Sequence, residues 1–307
     1  MKFGAGYLTP HPSPEEEIDI PADTIQESYQ RELQRAQIAD SVGYDSVWVA
    51  EHHNARENYF TQPMTMCAAL SQITDLTVGT GITIGGLWNP SRLAEEAATV
   101  DVLSQGNLQI GMGLGYNESE FTGYGIPKGE RLPRMKDSIE VCKKGWSGEP
   151  FSYDGERFSS EEIHIEPKPP QGTDLPILIG ALAEPAIRRA ARIADGIIGI
   201  PTATYEDLAG MREWLEDEGI DDDFKFHVMK YGFIGDSKED AWETLEEPYY
   251  KLHKQYVEWE YMKEWEGKSP ESFRDQVGRE QTDEGIDEDL KEQWKSWAIF
   301  GDDEDMI

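Results

Sequence analysis

The chain has 307 residues, enough to bury a sizeable core, and carries 61 Asp and Glu against 28 Lys and Arg, for a formal net charge of −33. That surplus opposes association with phosphate backbones or anionic membrane surfaces, so neither nucleic acid nor membrane is expected as a partner. Nine Trp, thirteen Tyr and apolar runs at 47–50 and 177–179 argue against a disordered acidic chain; the acids, spread along the whole length, read as a hydrated surface suited to high salt.

The N-terminus, MKFGAGYL, lacks an apolar signal core, and no window holds the roughly 18 apolar residues of a membrane span, so a soluble cytoplasmic protein is expected. Cys67 and Cys142 are the only cysteines, too few for a disulfide framework and without the spacing of a zinc site.

The first predicted strand covers 2–7. A Pro-rich loop follows, then a helix over 24–41, where Thr24 and Glu27 have capping-box spacing and Ile25, Tyr29, Leu33 and Ala36 recur at helical intervals. Gly43 ends it, and the apolar run 46–50 reads as a strand leading into Glu51-His52-His53. A helix over 64–73 and a strand over 76–84 come next. Asn89 as N-cap and Pro90 at the first helical position open a helix through Leu103. A strand over 108–112, a glycine-rich loop and a helix over 131–146 complete four strand-helix pairs.

Residues 151–170 break the rhythm. FSYDGERF, with its central Asp-Gly, predicts a hairpin, and EPKPP predicts an extended connector, so this stretch reads as an insertion. Strands over 176–180, 196–200 and 224–234 then alternate with helices over 184–194 and 205–218. From 238 to 297 the pattern is helical and rich in aromatic residues, Tyr249, Tyr250, Tyr256, Trp259, Tyr261 and Trp265 among them. Seven strands are counted. The economical reading is one α/β domain over 1–307, with parallel strands, crossover helices and the 238–297 stretch as a candidate roof over the open end.

Four segments together resemble the luciferase-like monooxygenase family: MKFGAGYL at the start, ADSVGYDSVWVAEHH at 39–53, LTVGTGITIGGLWNPSRLAEEAATVDVLSQGNLQIGMGLGYNESEF at 76–121, and PILIGALAEPAIRRAARIADGIIGIP at 176–201. The resemblance implies a (β/α)8 barrel. In that family a final strand and helix follow a segment similar to AIFGDDEDMI, which stands at the C-terminus here, so it also implies a chain stopping one strand short of a closed barrel.

Glu51-His52-His53 follows the second strand at the end where such barrels place their active sites. The resemblance implies that His52 is the functional histidine, exchanging a proton during the reaction; imidazole chemistry suits that task near neutral pH. Read from the residues alone, His52 and His53 fit better as partly buried polar residues supporting the loop. Glu51 is a candidate to orient His52 or contact the cofactor ring, and Asn89 to reach that ring or only to cap its helix.

Thr80, Gly81 and Ile82 lie where the family carries a non-prolyl cis peptide against the flavin ring. A glycine within a strand more often marks a bulge or close packing. Gly113 and Gly115 are candidates for close backbone approach to the cofactor, since their surroundings lack the rest of a dinucleotide-binding fingerprint. The resemblance implies an arginine on this loop for the cofactor phosphate; Leu114 stands there instead. Gly180, Ala181, Leu182 and Ala183, ahead of a helix with Pro185 expected at its first position, are the candidate phosphate loop.

The resemblance implies a flavin-dependent oxidoreductase, foremost a monooxygenase that receives reduced FMN from a flavin reductase, acts on a small organic substrate and forms a homodimer. Hydride transfer with the deazaflavin F420 is the alternative, favoured by Leu114, and a non-catalytic flavin-binding subunit is a third.

Overall fold

A computed structural model describes residues 2–7, 22–54, 59–201, 203–246, 249 and 298–301. The chain divides into two compact units. The first comprises Met1–Pro12, Glu16–Gly180 and Ile193–Gly196, and the second Ser13–Glu15, Ala181–Arg192 and Ile197–Ile307.

In the first unit the elements run β1 (Gly4–Tyr7), α1 (Ala22–Ser41), β2 (Ser46–Val49), α2 (Pro63–Leu70), β3 (Thr77–Ile84), α3 (Pro90–Leu103), β4 (Leu108–Gly113), α4 (Glu118–Gly123), α5 (Arg131–Trp146), β5 (Phe151–Asp154), β6 (Ser159–Ile163) and β7 (Ile177–Gly180). Strands β1, β2, β3, β4 and β7 lie side by side in that order, all parallel. Val47, Val49, Val78, Leu108, Ile110, Met112, Ile177 and Leu178 are fully shut from solvent. Strands flanked by crossover helices are covered on both faces, which is why they read as apolar runs rather than strict alternations.

Local signals account for several of these elements. Asn89 caps α3, its Oδ1 accepting Arg92 N–H at 3.1 Å, and Pro90 follows as expected. The Trp146 indole N–H donates to Ala94 O at 3.1 Å and ties α5 to α3. Helix α1 begins at Ala22, so Thr24 lies within its first turn and not at the cap. The insertion is the expected antiparallel hairpin, β5 against β6. The buried Asp137 carboxylate of α5 braces it by accepting Tyr153 O–H and the backbone N–H groups of Glu156, Arg157 and Phe158. The peptide bond between Gly81 and Ile82 is cis, and the β3–β4 register shifts between Thr80 and Thr83.

The second unit contains α6 (Glu184–Ile193), β8 (Gly196–Gly199), α7 (Tyr205–Asp217), β9 (Lys225–Val228), β10 (Tyr231–Ile234) and β11 (Ala298–Gly301). Thr204 and Asp207 form a complete capping box that starts α7. The single strand expected over 224–234 is two strands. The chain breaks at Met229 and Lys230, where Met229 N–H donates to Gly199 O at 3.1 Å and the Lys230 ammonium turns to the carbonyls of Pro201 and Ala203. Strand β10 then pairs in parallel with β11. Residues 238–246 are helical, and Tyr249 packs edge-on against Tyr231 and Trp242. The other aromatic residues singled out above, Tyr250 to Trp265, lie outside the described residues.

Candidate active site

The site is built in the first unit from the segments that follow β2, β3 and β4. Beyond Val49 the chain runs into Glu51, His52 and His53, all buried. Helix α4 begins just past β4, with Asn117 as its N-cap, and its first turn points Glu120, wholly buried, at the same place. Glu120 Oε1 accepts His53 N–H at 3.0 Å and lies 3.2 Å from His52 Nδ1. The His52 ring meets those of Tyr59 and Tyr116 edge-on, with centroids 4.9 and 6.2 Å away.

Glu51 works on the other side. Its Oε2 accepts Ile84 N–H at 2.7 Å, its Oε1 lies 2.8 Å from His53 Nε2, and the Trp88 indole N–H reaches both oxygens at 3.2 and 3.3 Å. Its backbone N–H donates to Ile82 O at 3.2 Å. Glu51 thus clamps the β3 segment 82–84 from side chain and backbone together. Backbone and indole N–H groups can only donate, so Glu51 serves them as an acceptor. His53 continues outward, its Nδ1 3.1 Å from the hydroxyl of Tyr124, a residue 47% exposed. Burial, followed by the charges of Glu51 and Glu120, pushes the Tyr124 phenol above its ordinary value and keeps it protonated.

The structure joins Glu51 to segment 82–84, and its carboxylate turns to His53 rather than orienting His52, which pairs with Glu120 instead. Thr80 Oγ1 donates to Gly111 O at 2.8 Å. The position a Gly113 side chain would take is already filled by Ile82 Cδ1, and the same residue would sit 3.1 Å from a Cβ on Gly180. These two glycines therefore make room for the Ile82 side chain. Gly115 has φ +71°, and a Cβ there would come 2.8 Å from Ile84 and 3.1 Å from Phe121. The side-chain oxygen of Asn89 is engaged as the α3 cap.

In the second unit, Ala181 N–H donates to Ile198 O at 3.4 Å and is thus not left for a phosphate. Leu182 and Ala183 are buried, and α6 begins at Glu184, so Pro185 is its second residue and not its first. Arg188 is held by Glu184, Asp217 and Glu218. Among the described residues no three His, Cys, Asp or Glu gather as metal ligands, and no helix is long and apolar enough to cross a membrane.

Sequence reasoning missed Glu120, Tyr124 and the part played by His53. Glu120 is one acid among 61, in the short helix α4 that no periodicity announced; the one available signal was the fully buried Phe121 beside it, an apolar residue in an otherwise polar stretch.

With the fold and the site in view, comparison places the chain. It matches the luciferase-like monooxygenase family over residues 1–307, and it belongs to that family. It is 25% identical over 239 residues to the 4-hydroxyprotoasukamycin monooxygenase of Streptomyces nodosus subsp. asukaensis, covering 74% of this chain and 64% of that one. The oxygenating constituent of 3,6-diketocamphane monooxygenase from Pseudomonas putida, solved with FMN, shares the fold with a TM-score of 0.70 at 18% identity, covering 90% of this chain and 77% of that one. The F420-dependent tetrahydromethanopterin reductase of Methanopyrus kandleri does so at 0.63 and 19% identity, covering 97% and 91%. These likenesses establish the α/β barrel class of the fold. Homologues include both monooxygenases and F420-dependent oxidoreductases. The chain spans about half to two thirds of the length of the curated relatives it matches, 46% to 66%.

Proposed function

We propose that the chain is a flavin-dependent oxidoreductase, and specifically the oxygenase component of an FMN-dependent monooxygenase acting on a small organic substrate. The observation that carries this reading is the buried pairing of His52 with Glu120 beside the Glu51 clamp on segment 82–84, in a chain of this family. Glu120 Oε2, buried and without a hydrogen-bond partner among the described residues, suits a ligand that brings an N–H or O–H donor, as a reduced flavin ring does.

A reduced flavin, when bound, would supply the electrons and the oxygen chemistry. Thr80, Gly81, Ile82, Asn89, Gly113 and Gly115 are the first-unit residues proposed to hold its ring and side chain, mostly through backbone. His52 takes or returns a proton, and Glu120 holds the imidazole by Nδ1 so that its orientation is set before a substrate arrives. The rings of Tyr59 and Tyr116 beside His52 keep water from its face. A separate flavin reductase and a homodimeric assembly belong to the same proposal.

Leu114, in place of the arginine implied for the cofactor phosphate, favours a second reading: hydride transfer with F420. Anaerobic titration in high salt with reduced FMN and with F420, followed by exposure to oxygen, separates the two. FMN binding with oxygen consumption supports the monooxygenase. F420 binding without oxygen chemistry supports the hydride-transfer enzyme, and binding of neither overturns both.

A further inference from the structure

Beside the His52–Glu120 pair runs a second line of polar groups, from the buried Glu51 through the buried His53 to the half-exposed Tyr124. We propose that these three form a proton-accepting relay that takes a proton from a hydroxyl or amine of the small organic substrate, separately from His52. The proposal rests on the flavin-dependent reading above and adds to it the substrate's chemical class.

The direction of the hydrogen bonds follows from the donors. Glu51 accepts from Ile84 N–H and Trp88 Nε1–H, and the relay has it accept in the same way from His53 Nε2, 2.8 Å away. In a neutral imidazole Nδ1 is then the acceptor, and the Tyr124 hydroxyl, 3.1 Å away, donates to it. The phenol proton is thereby committed inward, on a residue that remains 47% exposed. The edge-on contact of the Tyr124 and His53 rings, centroids 4.8 Å apart, fixes this geometry.

Transfer is one concerted shift. A substrate O–H or N–H bond breaks and its proton joins the Tyr124 oxygen; the electron pair stays on the substrate heteroatom. The original phenol proton moves to His53 Nδ1, and the imidazolium so formed is paired with the Glu51 carboxylate. After product leaves, the same two hops in reverse return the proton to water. Nothing is oxidised or reduced in this step.

Nitrogen-15 NMR of the histidines, on the protein without flavin, and steady-state kinetics of Tyr124→Phe test the relay together. His53 should be the Nε2–H tautomer, and Tyr124→Phe should shift the Nδ1 resonance while leaving Nε2–H in place. With flavin and a hydroxylated substrate, Tyr124→Phe should lower kcat/KM about 10²-fold and displace its pH profile, an effect absent with a substrate lacking an ionisable proton. An Nδ1–H tautomer, a doubly protonated ring at neutral pH, or an unmoved pH profile in the variant overturns the relay. Wild-type protein that turns over with neither flavin overturns the functional reading instead, and the tautomer shows which of the two has failed.

Discussion

Glu120 and His52, 68 positions apart in the chain, meet in the interior of the first unit with Oε1 of the carboxylate 3.2 Å from Nδ1 of the imidazole. The same oxygen accepts His53 N–H, so one side chain from beyond β4 fixes both the ring and the backbone that follow β2. His52→Ala should retain flavin binding and lose turnover by about 10²–10⁴-fold, the usual range for a positioned acid or base. Glu120→Gln, which keeps an acceptor for His53 N–H, should lower kcat by about tenfold, and Glu120→Ala should lower it further and destabilise the loop. Stopped-flow turnover beside equilibrium flavin binding reads these outcomes; equal losses of binding and turnover in His52→Ala would remove its proton-transfer role.

Asp137 is the stability hub of the insertion. It is 3% exposed and accepts from four donors, three of them backbone N–H groups of the hairpin. Asp137→Ala leaves those donors without their partner and should cost about 3 kcal/mol. Urea unfolding measures it, and a change below about 1 kcal/mol would mean that water replaces the carboxylate.

Both thiols should be silent in the folded protein. Burial pushes Cys67 up to about 12 and Cys142 higher still, so at pH 8 each remains a neutral thiol inside the core. Because the folded values are raised, the thiolate fraction stays small as pH climbs through the ordinary thiol range. A disulfide reagent at pH 8 should find no reactive thiol in native protein and two after guanidinium unfolding.

The net charge of −33 implies strong self-repulsion at low ionic strength. Raising salt from about 0.1 to 1 M shortens the screening length from about 10 to 3 Å. The melting temperature should therefore rise by at least about 5 °C over that range. A scanning-calorimetry series in KCl checks this, and an unchanged Tm would show that the acids are already locally compensated.

Much of the first unit was legible in the sequence because its signals are local. Asn89-Pro90 marks the start of α3 by chemistry contained within four residues, and Asp-Gly in FSYDGERF marks the turn between β5 and β6. The alternation of apolar strand runs with 3.6-residue helical periods placed β2, β3, β4 and β7 within a residue or so of their observed limits. The break between β9 and β10 was not legible, because it depends on Gly199, Pro201 and Ala203 drawing Met229 and Lys230 out of line.

For the site, the sequence by itself determined that Glu51, His52 and His53 stand at the end of a strand, and by resemblance that segment 80–82 lies near a cofactor. Only the tertiary structure decided what these groups do for one another: Glu120 to the histidines, Glu51 to Ile84 and Trp88, Tyr124 to His53, and Ile82 into the space above Gly113. Helical and strand periods are set by residues a few positions apart, whereas a buried acid acquires its role from donors dozens of positions away, which no local pattern records.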